Sequence, residues 1–331
     1  MRQLQISIFV VSLFTVFMPC NATAQKLTPL TAGYTALSYD QLPAWVAKEA
    51  GLFEKNGLDV QLVYFTGGTT GLLALIAGDV AISQNAGPEV VNLYLRDYDV
   101  TFVAGGSVTL DYWLMARPDI KTAEQLRGGS VAISRFGSVS DFIARFALQR
   151  IGLIPRKDVT IVQLGTTTDR LAAMATNRVE ATVLNPPTMF MAQKNGLNLI
   201  ADVSQLGLAF QHNGVVTTRK LIRENPDLVR RYVRAHVEAV HRIKTDREMT
   251  LKVVTKYMRV TDREAMDKSY DRYIPENKLP RKQYPTLPGI ETVLKTIDTS
   301  KSKAIKPEDI VDDQFVRQLD QTGFTDNLYK R

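Results

Sequence analysis

Short apolar runs alternate with amphipathic stretches along the first two thirds of the chain, the pattern of an α/β fold. Leu30 to Tyr34 reads as a strand, and Pro43 suits the first turn of the helix that follows. Val46, Ala50 and Phe53 give that helix an apolar face, and Gly57 is its expected stop. Val60 to Phe65 is a second strand, and Gly67-Gly68-Thr69-Thr70 opens a small-residue helix to about Ala77. The strand Val80 to Ser83, a helix from Pro88 to Arg96 and the strand Thr101 to Ala104 follow. The order then repeats. Strands are expected at Val131 to Ser134, Val159 to Leu164 and Val179 to Leu184, and helices open at Gly137-Ser138 and Gly165-Thr166.

Two stretches echo each other. Phe65 to Pro88 and Leu164 to Pro187 each run strand end, Gly- and Thr-rich turn, small apolar helix, strand, Asn and Pro, with a shift of one or two residues. Two lobes built alike fit this better than a solenoid, which needs several copies. After about Val215 the texture becomes helical. Asn225-Pro226-Asp227 is a helix start, and Val229, Val233, Val237 and Val240 recur at helical spacing. Further helices are expected to Met258, over Thr261 to Tyr273, near Glu291 to Ile297 and over Pro307 to Gln321, as packing elements.

The 331 residues suit about two domains at ~150 residues each. Apolar residues at 45% and charged residues at 23% exclude a disordered or fibrous chain. The net charge of +7 comes from 41 basic and 34 acidic side chains, which interleave without a dense basic block. A solvated surface explains them, and no nucleic-acid partner is expected. The N-terminus reads as a secretory signal peptide: Arg2, an apolar run from Ile6 to Met18, then Ala22-Thr23-Ala24 as a cleavage site. Residues 1–24 would be removed. The single cysteine, Cys20, lies within that leader, unless it is itself a lipid-modified N-terminus. A mature chain beginning at Gln25 has no cysteine, hence no disulfide and no thiolate nucleophile, and a bacterial periplasm is the expected location.

Ligands of open α/β sheets sit outside the carboxyl ends of the strands. That rule selects Thr35 to Leu42, Gly67 to Thr70, Gln84 to Gly87, Arg135 to Ser140 and Asn185 to Thr188, with Gly165 to Thr168 as a sixth loop. The Gly67 and Gly137 loops combine glycine, hydroxyls and a helix N-terminus, which suits a small anion. Thr69 and Ser138 could equally be helix caps. Arg135 offers a partner for a carboxylate or sulfonate, or else a solvated charge. Tyr39 and Phe136, within the loops, would give an aromatic wall; Trp113 and Phe190 fit core packing better.

Enzyme signatures are sparse. His236 lies on the apolar face of the long helix, and its spacing of five from His241 does not suit a shared metal. No H-E-x-x-H, phosphate-binding or G-x-S-x-G motif occurs. Asp40, Asp111, Asp141 and Asp169 offer carboxylates, but no spacing pairs two of them, and Asp141 and Asp169 suit first-turn helix acids. No catalytic residue, cofactor or metal is expected.

The segment Pro43-Ala44-Trp45-Val46-Ala47-Lys48-Glu49-Ala50-Gly51-Leu52-Phe53-Glu54-Lys55-Asn56-Gly57-Leu58 resembles a family. It is that of the periplasmic substrate-binding proteins of ABC transporters in the nitrate/sulfonate/taurine (NMT1/THI5-like) group. Gly78-Asp79-Val80-Ala81-Ile82-Ser83 and Leu126-Arg127-Gly128-Gly129-Ser130-Val131-Ala132 carry the resemblance further. It implies a type II periplasmic-binding-protein fold with two lobes, residues 25–109 plus 213–331 and residues 110–212, and a ligand cleft between them. By position it implies ligand contacts from Ser38, Tyr39, Gly68, Thr69, Thr70, Asn85, Ala86, Tyr112, Phe136, Gly137, Ser138 and Asn185. It implies a monomeric receptor handing a small organic acid or sulfonate, aromatic or not, to an inner-membrane permease. A pyrimidine or thiamine-precursor protein on the same fold and a ligand-presenting accessory of a membrane sensor remain open alternatives.

Overall fold

The computed structural model describes residues 26–206, 208–297 and 299–330. The leader expected over residues 1–24, with Cys20, lies outside the described residues. The chain begins with β1 (Thr28–Tyr34), α1 (Leu42–Glu49), α2 (Leu52–Lys55), β2 (Leu58–Tyr64), α3 (Gly68–Ala77), β3 (Ile82–Asn85), α4 (Gly87–Tyr94) and β4 (Thr101–Ala104). Next come β5 (Trp113–Ala116), β6 (Ser130–Ile133), α5 (Val139–Arg150), β7 (Thr160–Gln163), α6 (Thr167–Ala175), β8 (Ala181–Leu184), α7 (Thr188–Lys194) and β9 (Asn198–Asp202). It continues through β10 (Gly214–Thr217), α8 (Arg219–Glu224), α9 (Pro226–Thr245), α10 (Arg247–Met258), α11 (Arg263–Tyr273) and α12 (Leu287–Ile297), and ends in short helices up to Leu328.

The strands form two five-stranded sheets of one plan, ordered β2-β1-β3-β10-β4 and β7-β6-β8-β5-β9. In the first, β1 is parallel to β2 and β3, and β10 is antiparallel to β3 and β4. In the second, β6 is parallel to β7 and β8, and β5 is antiparallel to β8 and β9. The two echoing stretches therefore occupy equivalent places: β2–α3–β3 in one sheet, β7–α6–β8 in the other. The chain passes between sheets twice, after β4 and before β10. The two passages pair with each other: Thr109 bridges Ala209, the Phe210 N–H donates to the Val108 carbonyl (3.2 Å), and the His212 N–H donates to Ser107 (3.1 Å).

The C-terminal helices complete the first lobe. On α9 the side chains of Val229, Val233, Val237 and Val240 are all buried, as their spacing requires. They pack on α1 and α2, where Phe53 meets Tyr232 at 5.0 Å between ring centroids. Each such side chain contributes about 1.5–3 kcal/mol of burial. The Asn225 side chain starts α9 by accepting from the Leu228 N–H at 3.2 Å. His236 sits in this core between the Gln283 amide oxygen (2.9 Å) and the Gly105 carbonyl (3.0 Å). Burial pushes its pKa down to about 4, so it is a neutral core histidine.

The expected single helix from Pro43 to Gly57 is divided. Gly51 adopts φ +65°, which ends α1 and starts α2 at a new angle. The elements β5, β9, β10, α7 and α8 escape the sequence pattern. β5, for instance, is a four-residue run between β8 and β9 with every residue buried, so it shows no alternation. Among the described residues no helix is long and apolar enough to cross a membrane.

Candidate functional site

The parallel strands of both sheets point their carboxyl ends at a shared cleft. The cleft encloses a cavity of about 320 Å³, within the size range of small-molecule sites. All six loops selected by the strand-end rule contribute to its wall. The first lobe supplies Thr35 to Ser38, Asp40, Gln41, Gly67, Gly68 and Ala86; the second supplies Val139, Ser140, Gly165 to Thr168, Asn185 and Thr188. Met258, Arg259 and Val260 close one rim.

Of the residues expected at the site, Ser38, Gly68, Ala86, Tyr112 and Asn185 line this cavity. The rest have other positions. Tyr39 is 2% exposed and donates its hydroxyl to the Met266 carbonyl (2.8 Å), so it anchors the loop to α11 instead of forming an aromatic wall. Phe136 is 48% exposed and lies outside the lining. Asn85 braces the Gly68 loop by donating to the Gly68 carbonyl (2.8 Å), and accepts from the Ser83 hydroxyl (2.6 Å). Thr69 is turned inward with its hydroxyl buried, and it does not cap α3; Thr70 donates to the Thr66 carbonyl (3.3 Å). Ser138 is the N-cap of α5, accepting from the Asp141 N–H, while its neighbours Val139 and Ser140 face the cavity. Asp169 forms a capping box with Thr166 at the start of α6, the first-turn role its position suggests.

Arg135 does not reach into the cavity either. Its Nε–H donates to the Thr66 carbonyl of the opposite lobe (3.0 Å). A different arginine, which sequence reasoning passed over, lines the wall. Arg170 on α6 is 6% exposed, with Nη1 on the Thr182 hydroxyl and the Val183 carbonyl (both 2.8 Å) and Nη2 on the Thr167 hydroxyl (2.9 Å). Its Nε has no partner, and among the described residues no carboxylate lies within ion-pair distance. Burial lowers its pKa to about 10, which still leaves it charged at neutral pH. The available signal was an arginine on the fourth position of a helix opened by Gly165-Thr166-Thr167-Thr168, one turn from its N-terminus.

Two acids of the first lobe line the same cavity. Glu89 on α4 is 3% exposed; its Oε1 accepts from the Val139 N–H at the start of α5 (2.8 Å), and its Oε2 has no partner. Burial pushes its pKa up to about 8, so it holds a proton at neutral pH. Asp40 accepts from the Ser38 hydroxyl and from the Gln41 amide (2.6 Å), and has no basic partner among the described residues. At the crossings, Asn185 donates to the Tyr112 hydroxyl (3.3 Å), His212 Nε2 lies 3.4 Å from the same oxygen, and His212 Nδ1 lies 3.2 Å from the Ser107 hydroxyl. Among the described residues no group of three or more His, Cys, Asp or Glu side chains could hold a metal.

Residues 39–248 match the model of the family described as NMT1/THI5 like. The chain belongs to that family. Its span runs from the cleft loop of the first lobe to the start of α10, so it takes in both lobes. A family relative by sequence is the riboflavin-binding protein RibY of Chloroflexus aurantiacus, 27% identical over 246 residues, 67% of this chain and 65% of that protein. The fold is that of periplasmic binding proteins. The nitrate-binding protein NrtA from Synechocystis PCC 6803 superposes with a TM-score of 0.75 at 16% identity, covering 90% of each chain. The alkanesulfonate-binding protein SsuA from Xanthomonas axonopodis pv. citri, solved bound to MOPS, gives 0.70 at 16% identity, covering 87% of this chain and 99% of that one.

Proposed function

We propose that this chain is the solute-binding receptor of an ABC importer, exported to the periplasm, and that its cleft takes a small organic anion. One observation carries the reading: Arg170 is a buried cation in the wall of the cleft with an unpaired Nε and no carboxylate to balance it. An isolated buried charge costs several kcal/mol, so a site that retains one is built for a counter-charge from outside. The carboxylate or sulfonate of a ligand supplies it, with Thr166 to Thr168 adding hydroxyls and α6 its N-terminal dipole. The family and the fold support the receptor role. The two paired crossings supply a hinge about which lobes 25–109 plus 213–331 and 110–212 close on the ligand.

The reading is one of binding rather than turnover. The histidine in the wall, His212, has both ring nitrogens engaged by Ser107 and Tyr112, and no cysteine accompanies it after the expected leader. The test is a thermal-shift screen of protein stripped by refolding, against propionate, benzoate, ethanesulfonate, nitrate and bicarbonate. A ligand at ~100 times its Kd adds about 2.7 kcal/mol, a readily visible shift. A saturable shift that is lost in Arg170→Met, with a smaller radius of gyration when bound, is the expected result. Organic anions that bind Arg170→Met as well as the parent would overturn it.

A further inference from the structure

Among the described residues, the ion pairs that join the two lobes fall in two places. One is at the crossings, where Arg272 and Lys278 of the first lobe meet Asp111 of the second, and Arg272 also donates to the Ser204 hydroxyl (2.6 Å). The other is at the rim. Lys194, the last residue of α7, donates to Asp262 Oδ2 (3.0 Å) and lies 3.8 Å from Glu264 Oε2. One helix connects the two places: α11 begins next to Asp262 and carries Arg272 about 15 Å further along its axis. The rim pair stands just outside the cleft wall. Met191, one turn before Lys194 on α7, lines the cavity, and so do Met258, Arg259 and Val260, just before Asp262. Outside that wall α7 and α11 leave a gap of about 260 Å³, edged by Lys194, Asp262 and Glu264, so charge rather than close packing joins the two helices at this edge.

Resting on the hinged-receptor reading, we propose that Lys194 with Asp262 and Glu264 is an ionic latch on the closed cleft, through which ionic strength sets the balance between closed and open forms. Asp262 is held in place for it: Oδ1 accepts the Ala265 N–H (3.0 Å) as the N-cap of α11, which leaves Oδ2 for Lys194. Rotation about the crossings leaves the Arg272 and Asp111 pair together and parts the pair at the rim. The Lys194 and Glu264 side chains are 62% and 63% exposed, so counterions screen their attraction readily. The other contacts across the rim, Arg135 to Thr66 and Glu89 to Val139, involve a backbone atom on one side and are not ion pairs. Lys194 does not line the cavity, so the latch acts on closure whatever the cleft holds.

The experiment needs no ligand. The chain from residue 25 is treated with a water-soluble carbodiimide, which joins amines to touching carboxylates, at about 20 and about 500 mM NaCl, a range over which screening tightens severalfold. Cross-linked peptides are measured by mass spectrometry. Lys268 with Glu264, 2.7 Å apart within α11, is the internal reference, because it shares an acid with the latch and does not depend on closure. The ratio of Lys194 links to Lys268 links is expected to fall about two- to fivefold with salt, the scale of one exposed ion pair. By small-angle scattering, the radius of gyration should grow with salt in the parent and in Lys194→Arg. In Lys194→Met, verified as folded by circular dichroism, it should hold the larger value at both salts. No Lys194 link at low salt, a ratio that salt leaves unchanged, or a Lys194→Met radius equal to the parent's at low salt would overturn the latch. Each would leave the receptor standing, because the ligand screen tests that reading separately.

Discussion

Arg135 of the second lobe donates its Nε–H to the carbonyl of Thr66 on the first, 3.0 Å away across the mouth of the cleft. Asn92 makes a second, longer crossing to the Gly137 carbonyl at 3.4 Å, and Glu89 a third to Val139. These contacts exist only while the lobes are together, and Arg135, which is outside the cavity lining, serves closure and not recognition. Arg135→Ala should therefore weaken every ligand alike. A hydrogen bond from a charged donor is worth about 1.5 kcal/mol, so affinities should fall roughly tenfold without a change in ligand ranking. Calorimetry across two ligands checks this; a change in ranking would place Arg135 on the ligand.

Gly68 has no room for a side chain. A Cβ would meet the Glu89 carboxyl, itself fixed against Val139. Gly68→Ala should cost about 1–3 kcal/mol of stability through overpacking. The same substitution in Glu89→Gly should be nearly free, because the obstructing side chain is gone. Urea denaturation of the two single variants and the double variant reads the coupling directly.

Arg170→Met should separate binding from stability. It removes a buried charge that no protein carboxylate balances, and so relieves a desolvation cost while losing bonds to Thr167, Thr182 and Val183. The ligand-free protein should unfold within about 1–2 kcal/mol of the parent. Anion binding should be lost. A variant that fails to fold would assign Arg170 to the scaffold.

His236 and Glu89 make stability depend on pH in opposite senses. His236 has a pKa near 4 when folded against 6.5 unfolded, so the unfolded chain takes up the proton first. Its contribution is complete above pH 6.5 and is lost as pH falls toward 4, by about 3 kcal/mol at most. Glu89, raised to about 8 from 4.5, does the reverse: stability falls as pH rises between those values. Between pH 4.5 and 6.5 the two slopes nearly cancel, so denaturation midpoints should stay almost level there and fall from about pH 6.5 to 8. Glu89→Gln should remove that fall and unmask a rise from about pH 4 to 6.5, and His236→Gln should extend the fall down to about pH 4.5.

The parallel strands and the helices that follow them were legible because they rest on local signals. Strand ends carrying Gly and Thr mark where helices begin, and the Phe65 and Leu164 stretches repeat that signal in both lobes. The cleft loops followed from the same rule. Individual side chains did not, because orientation is decided by long-range packing. Tyr39 turns inward to Met266, 227 residues away, and Arg135 crosses to Thr66. Glu89 sits in the first turn of α4, a position with no sequence signal of its own, and it receives the Val139 N–H of α5 across the cleft. Beyond its place one turn into α6, nothing in the sequence singles out Arg170; its bonds to Thr182 and Val183 across the sheet hold it in the cleft wall.

The paired crossings have a mechanical consequence. Two strands bonded to each other at Thr109–Ala209 resist shearing and separation but tolerate a shared twist. In the proposed closure, opening would be a rotation about one line, with displacement growing with distance from it. Tyr112, Asn185 and His212, beside the crossings, are then expected to move little and Thr66 and Arg135 to travel most. A visiting solute thus meets a preassembled floor first, and the walls judge it only as they swing in.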